Sequence, residues 1–596
     1  MSLVLTEHGC HTWVVTPLAA GPILAIDGHR LEDHTCGAAG AAAPAAADAA
    51  AADPRHPSPD AGIPAATPAT GAAAGVAVDP TSTTCAWVLP GTACGVLELV
   101  GIGPLPLTIP DAEPQAWAQT HFAGATLAHP ARNRRIQTIA AALAHNPGRS
   151  IPGLFTHRYD VKAAYDVFDH PEATPDHIQA GHRRWVRDQV SRPGEYLLIE
   201  DTTAVSYRQR QPIRGLGSVG HSSEGQKAFQ LHSVLAVGWP GPAEPDGQGH
   251  RPGVEVLGFL DQQYDIRVPH PPGIDPQTGV PKVRVTYKPV KTPEQWGAWE
   301  RATARIGAAP ADDTVRWVRV ADREADIYEY LCGCRQQGHG FVVRAAQDRV
   351  IVDPVTGKRI GSLFARVRGQ GALGRFPLEL RGRGPQPART AQLAVSAVVV
   401  GVKAPQRRGD KSQLPPRLTV TAVRVWEEAP PTGAEAIEWI LLCDAAVTTW
   451  AEAQDRALQY ACRWLIEEFH KALKTGMGAE RLQLEEGHRL FAAVAIMSVV
   501  ALRLIGLRER VRVRPQEPAE ASGLSALELE VLRAKLQAPL ATVEEVVLGV
   551  GRLGGHLNRK GDGLPGWQTL WQGMIRLRHM VEGVQLMLGE GRADDG

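Results

Sequence analysis

Two stretches of this chain read as strands that end in a carboxylate, the first an apolar run and the second rich in apolar residues with Arg316 and Arg319 among them. Tyr196-Leu197-Leu198-Ile199 leads into Glu200-Asp201-Thr202-Thr203, and the run from Val315 to Ala321 leads into Asp322-Arg323-Glu324-Ala325-Asp326. A short, near-continuous apolar run predicts a strand buried on both faces, as in a sheet covered by helices. An aspartate at the end of such a strand lies where α/β folds place their ligands. Each also has a plainer reading: turn chemistry for Asp201, and a helix N-cap of about 1 kcal/mol for Asp322. Further strands are expected at 229–237, 254–259 and 341–344, with a turn at 216–220 and a helix at 293–307.

A third carboxylate has a different setting. Residues 460–474 contain no Gly or Pro until Gly476 and mix good helix formers with large apolar side chains, which predicts a helix. At about 100° per residue, Tyr460, Arg463, Glu467, Lys471 and Lys474 share an arc of roughly 80°. Trp464, Leu465, Phe469 and Leu473 are left to pack inward. One carboxylate is thus flanked by three cations and a phenol. The residues alone leave two readings open, a functional cluster or a solvated face with i,i+4 ion pairs of roughly 0.2–0.5 kcal/mol each.

The spacing of Tyr460, Arg463, Glu467 and Lys474, continued by Thr475 to Glu480, resembles the Y-R-E-K signature of bacterial insertion-sequence transposases of the IS-four group. Asp201-Thr202-Thr203 followed by Ser206-Tyr207 resembles that family's first catalytic block, and the string from Asp322 to Asp326 its second. Three separated blocks in the right order make the resemblance specific, and it spans about residues 115–590. It implies an α/β fold: a ribonuclease-H-like mixed sheet with flanking helices, an inserted β subdomain, and helical N- and C-terminal domains. It also implies a DDE enzyme in which Asp201, Asp322 and Glu467 hold two Mg²⁺ ions, with Mn²⁺ as a substitute, since hard cations favour carboxylate oxygens.

By the same resemblance Tyr460, Arg463, Lys471 and Lys474 would grip phosphates near a DNA hairpin, with Arg323 and Arg344 as further contacts. Trp439, which from the residues alone reads as core, would stack on a flipped base. The implied activity is cut-and-paste transposition by a homodimer on double-stranded DNA ends and target DNA, in a bacterial cytoplasm at the nucleoid. The alternative is a catalytically silent DNA-binding regulator of transposition.

The rest of the chain fits around these blocks. Ala131 to His145 reads as an amphipathic helix stopped by Asn146-Pro147-Gly148, with helices expected at 161–169 and 174–190. From the residues alone this is an ordinary helical bundle with solvated arginines; the pattern also resembles the family's end-binding domain, which implies Arg132 and Arg135 of its basic start as phosphate contacts. Alternating runs at 393–402, 417–426 and 437–442 predict inserted strands, with a basic loop at Arg407 to Lys411. An apolar helix is expected at 488–509, and the segment from Gly551 to Met580 resembles the family's dimerisation region.

Formal charge is zero overall, but residues 1–114 hold 2 basic and 11 acidic residues, leaving 61 and 52 in the remainder. A mildly basic body suits a polyanionic partner. Eight cysteines without a regular framework read as reduced thiols. No run is read as long enough for a membrane span, and Trp13 to Ile26 lacks the basic flank of a signal peptide, so no membrane partner is expected. Residues 37–80, rich in Ala, Pro and Gly, read as a linker without a core. His8, Cys10, His11, His34 and Cys36 fit no standard zinc spacing. The expected divisions are an acidic low-complexity extension with short β strands (1–114), a helical end-binding domain (115–190), the catalytic core in two parts (191–345 and 446–510), the inserted β subdomain (346–445) and a helical dimerisation domain (511–596).

Overall fold

The computed structural model describes residues 114–207, 213–218, 227–241, 252–266, 297–380, 389–405, 414–559 and 562–588, together with seven short strands before residue 98. The chain divides into two compact units, Met1–Ile109 and Pro110–Gly596. In the first, β1 (Leu3–Glu7) pairs with β2 (His11–Val15), and β3 (Ile23–Asp27) with β4 (Arg30–His34). The strands β5 (Ala77–Val78), β6 (Cys85–Trp87) and β7 (Gly95–Leu97) form a third small sheet. Residues 37–76 of the expected linker, the loop from Arg407 to Lys411, and His8, Cys10 and Cys36 lie outside the described residues.

The second unit opens with helices. These are α1 (Pro114–Phe122), α2 (Pro130–His145), α3 (Arg158–Phe168), the single turn α4 (Pro175–Ile178) and α5 (Ala180–Val190). Pro130 begins α2, where its missing N–H costs nothing, and Ile136, Ile139, Ala140 and Leu143 bury one face at helical spacing. The expected helix at 174–190 breaks at Gln179. That residue is buried, and its side-chain amide donates to Gln262 Oε1 at 2.7 Å and to the Ala495 carbonyl at 2.9 Å.

A 12-stranded mixed sheet follows. Its first part is an antiparallel meander of β8 (Gly194–Tyr207), β10 (Lys227–Trp239) and β11 (Glu255–Asp265). The helix α6 (Ala298–Ile306) then leads into β12 (Val315–Ala321), which lies parallel to β8, and α7 (Tyr328–Gln336) leads into β13 (Gly340–Arg344), parallel to β12. Residues 293–296 of the expected helix at 293–307 lie outside the described residues. The expected turn at 216–220 is instead partly a strand, β9 (Gly217–Ser218), paired with Lys227 and Ala228 of β10. The β11 pairing stops at Gln230, so β9 satisfies backbone groups that the edge of β10 would otherwise leave open.

The inserted strands continue the same sheet. Past β13 come β19 (Glu438–Cys443), β18 (Arg417–Glu427), β17 (Arg389–Lys403), β14 (Val350–Val352) and β15 (Arg359–Ser362), with β16 (Gly374–Leu380) paired to β17 and α8 (Leu363–Arg368) between β15 and β16. The whole is a mixed α/β sheet with flanking helices, compatible with a ribonuclease-H-like transposase fold.

Side-chain alternation assigns the two faces of β8 to different layers. Leu197 and Ile199 join the core shared with α2, α10 (Trp464–Lys471) and α11 (Gly487–Val513). Leu198 points the other way, into a cluster with Val186 and Val190 of α5 and Ala302 and Ile306 of α6. The C-terminal helices α12 (Ala526–Leu536), α13 (Val543–Leu553) and α14 (Trp567–Leu588) build a separate cluster.

One sequence expectation is overturned here. The helix α11 is, by length and composition, apolar enough to cross a membrane, because Arg503 alone does not break its run. Of its most apolar window 76% is buried inside the protein, so packing against the sheet and the surrounding helices takes up that apolarity. A glycine pair marks where three segments meet. At Gly148, with φ of +80°, a Cβ would stand 2.6 Å from the Gly476 carbonyl and 2.8 Å from the Trp571 ring, so no side chain fits.

Candidate active site

The register of β8 against β12 positions two carboxylates. Val320 lies beside Ile199 and Ala321 beside Glu200, where the parallel ladder ends. The next residues are Asp201 and Asp322. Neighbouring strands run about 4.8 Å apart, and the period of two puts both aspartates on the face of Ile199 and Val320. Asp201 is not at a strand end, as the sequence suggested. β8 continues to Tyr207 because β10 still pairs with it, Ser233 opposite Asp201. What ends at Asp201 is pairing on one side only.

Asp322 also does the local work its plainer reading assigns, whereas Asp201, inside a strand, makes no turn. Asp322 Oδ1 accepts the Glu324 N–H at 2.8 Å and caps a 3₁₀ turn, Arg323–Ala325, rather than an α-helix. Asp201 Oδ1 accepts the Thr202 N–H at 2.8 Å. Burial pushes the Asp201 carboxyl up, the Arg463 guanidinium pulls it down, and Asp322 and Glu467 push it up again, leaving it at about 6.

The expected helix over 460–474 is not uniform. α9 (Trp450–Ala461), opened by a capping box of Thr449 and Glu452, ends at Ala461, and α10 starts at Trp464. Between them the bonds tighten to i→i−3: Arg463 N–H to the Tyr460 carbonyl at 3.0 Å, and Leu465 N–H to the Cys462 carbonyl at 3.0 Å. After Lys471 the coil loosens into a π turn, Ala472–Gly476, where the Met477 N–H reaches the Ala472 carbonyl at 2.8 Å. The single face predicted from a constant 100° step is therefore split. Leu465 and Phe469 pack inward as expected, each burial contributing about 1.5–3 kcal/mol, and Phe469 meets the Phe259 ring at 4.7 Å. Trp464 does not; it is 38% exposed, because the tightened turn swings it outward.

The cluster residues go to different places. Arg463 donates to Glu467 and holds its Nη1 3.7 Å from Asp201 Oδ2, so it touches two of the three carboxylates. Lys474 donates to Thr203 Oγ1 at 2.6 Å, and Glu480 accepts from the Ser206 N–H at 3.0 Å, so the far half of β8 is tied to the π turn and the turn after it. Lys471 and Arg323 are exposed. Tyr460 is buried and meets the half-buried Trp439 ring edge-on at 5.1 Å, with the Arg463 guanidinium 6.0 Å from the Tyr460 ring. Arg344 donates to the Glu438 carbonyl at 2.9 Å beside that pair.

The donor set of Asp201, Asp322 and Glu467 is all carboxylate oxygen, the chemistry a hard divalent cation takes. The upward push on Asp201 from its two neighbours is the electrostatic cost that such a cation would relieve. Among the described residues, no three His, Cys, Asp or Glu side chains are close enough in this conformation to hold one ion.

Sequence reasoning missed a second cluster on the opposite face. Glu200, fully buried, accepts from Arg319 Nε at 2.6 Å and from the Tyr330 hydroxyl, and His232 stands 3.5 Å away. Thr202 Oγ1 and His232 Nδ1 share a hydrogen bond of 2.9 Å. Burial alone would push the Glu200 carboxyl up, but Arg319 and His232 outweigh it and hold it at about 2. The available signal was Arg319 itself, a charge inside an apolar strand, which needs a buried counter-charge. Cys332 and Cys334 on α7 are buried, which pushes their thiols up to about 11 and about 12 and keeps them from acting as thiolates.

In the N-terminal helices, Arg132 stands 3.6 Å from Glu172 and Arg135 donates to Asp160 at 2.6 Å. Both expected phosphate contacts thus begin inside local ion pairs. Residues 114–173 match the family model for transposase DNA-binding domains. That match supports a transposase that binds DNA. It runs from α1 past α3 and stops before α4, so it bears on DNA binding and not on the chemistry of the sheet.

Proposed function

We propose that this transposase is a cut-and-paste enzyme of the IS-four type. It would cleave its own transposon ends by two-metal phosphoryl transfer through a hairpin and join the 3′ ends to target DNA. One observation carries the reading: the β8–β12 register sets Asp201 beside Asp322, and Arg463 ties Glu467 of α10 to the same point. Asp201, Asp322 and Glu467 would hold Mg²⁺, or Mn²⁺ in its place, which when bound supplies a deprotonated oxygen nucleophile and a stabilised leaving oxygen.

The chain's own residues bind and orient. Arg463 and Lys474 present cationic donors to phosphate oxygens on the carboxylate face. The partly open Trp439 ring, braced by Tyr460, offers a stacking surface, and stacking of this kind contributes roughly 1–3 kcal/mol per base. Lys471, Arg323 and Arg344 extend the cationic surround, Arg132 and Arg135 of α2 anchor the end repeat, and a homodimer pairs the two ends.

The test is incubation of the purified protein and Mg²⁺ with a plasmid carrying its flanking inverted repeats. End-specific double-strand breaks with hairpin termini are expected. A second reading, a silent regulator that binds ends, is favoured by the family match, which covers DNA binding alone. Retention of the repeats without cleavage, by protein of verified fold, would establish it.

A further inference from the structure

Arg463 is in an unusual position for a phosphate-binding residue. It sits in the tightened turn between α9 and α10, its side chain only 15% exposed, and its guanidinium spans two carboxylates on two different elements. One Nη group bonds Glu467 on α10, and the other stands 3.7 Å from Asp201 on β8. Both carboxylates belong to the proposed cation site. A guanidinium between them supplies positive charge where the cation would, and it keeps the donor set engaged while, among the described residues, no three acidic groups converge.

We propose that Arg463 is a built-in stand-in cation, and that DNA unlocks the site by drawing it away. This rests on the metal-site reading above. The planar fork of a guanidinium suits phosphate as well as carboxylate, and a phosphate arriving on this face offers Arg463 a partner outside the site. Once Arg463 turns to the phosphate, Asp201 and Glu467 lose their counter-charge and take a divalent cation more readily. Linkage then makes the coupling reciprocal: DNA tightens cation binding, and the cation tightens DNA binding. The protein would hold its metal weakly until an end is docked, which confines cleavage to bound ends. Arg463 is in this scheme a gating residue, distinct from the ligands it covers.

The test reads metal binding, not turnover. The full chain is titrated with Mn²⁺ and free Mn²⁺ is followed by electron paramagnetic resonance, with and without a duplex bearing the inverted repeat and corrected for Mn²⁺ held by the duplex alone. The wild-type protein should bind Mn²⁺ about tenfold more tightly with the duplex than without. Arg463→Gln should bind it about tenfold more tightly without DNA and gain little when DNA is added. Arg463→Lys keeps the charge but cannot fork between two carboxylates; it should shift in the same direction by less, and it serves if the Gln variant does not fold. Glu467→Gln separates the two possible failures. If it weakens Mn²⁺ binding while both Arg463 variants match wild type, the site stands and the gate is wrong. If Glu467→Gln leaves Mn²⁺ binding unchanged, the site reading fails and the gate with it.

Discussion

Glu200 and Asp201 are neighbours in sequence with opposite fates. Strand alternation sends Glu200 to the face covered by α7, where Arg319, Tyr330 and His232 surround it and hold its carboxyl at about 2. Asp201 goes to the face under α10, beside two other carboxylates and one shared guanidinium, and its carboxyl rises to about 6. The first is a carboxylate with every demand met. The second is left short of positive charge, the condition in which a residue costs stability and gains reactivity.

The comparison can be broken most directly at Asp201. Asp201→Asn should reduce end cleavage by at least about 10³-fold, equivalent to about 4 kcal/mol in the barrier, while end binding stays intact. Because the folded carboxyl titrates above its unfolded value, Asp201 favours the folded state only while protonated. That contribution is lost as pH rises through about 6. Above pH 6 the Asn variant should therefore melt no lower than wild type and up to about 3 kcal/mol more stably. A variant that unfolds more easily and still cleaves would erase the distinction between the two carboxylates.

Arg319→Ala should do the reverse, destabilising the protein by about 3–5 kcal/mol in chemical denaturation, because Glu200 is left charged in an apolar interior. The double variant Glu200→Leu, Arg319→Met should recover most of that loss. Cleavage by the folded fraction should change little.

A smaller effect tests whether other buried titratable groups behave as structure. His182 Nε2 accepts the Phe259 N–H at 2.9 Å, so its Nδ1 must donate to His121 Nδ1 at 3.1 Å, and both rings are neutral. Burial, with Arg503 adding to it, lowers His121 to about 3. A depressed histidine means that the unfolded chain takes up the proton first. Its stabilisation is complete above about pH 6.5 and is lost on acidification toward 3, about 2 kcal/mol by pH 5. The pH dependence of the denaturation midpoint should flatten in His121→Gln. Smallest is Thr449→Ala, which removes the capping box of α9 and should cost about 1 kcal/mol without altering cleavage.

The strands that carry the site were legible because burial leaves a run dominated by apolar residues, interrupted in Val315–Ala321 only by Arg316 and Arg319, and that strand matches its predicted bounds. The α9–α10 helical region was legible as helix but not in shape, since a tightened turn at Arg463 and a π turn after Lys471 leave no mark on propensity. The Glu200 cluster was hidden because its partners His232, Arg319 and Tyr330 lie 32, 119 and 130 residues away along the chain.

The sequence by itself determined the main strands and helices around the site, where a carboxylate follows a strand, and that a helical domain precedes them, because those follow from local periodicity and composition; DNA binding by that domain rested on the family resemblance. Only the tertiary structure decided which carboxylates meet. Strand register, a long-range pairing, set Asp201 beside Asp322. Helix packing over that face brought Arg463 and Glu467 to them. The alternation of a single strand then separated Asp201, raised to about 6 beside other carboxylates, from the ion-paired Glu200 one residue away.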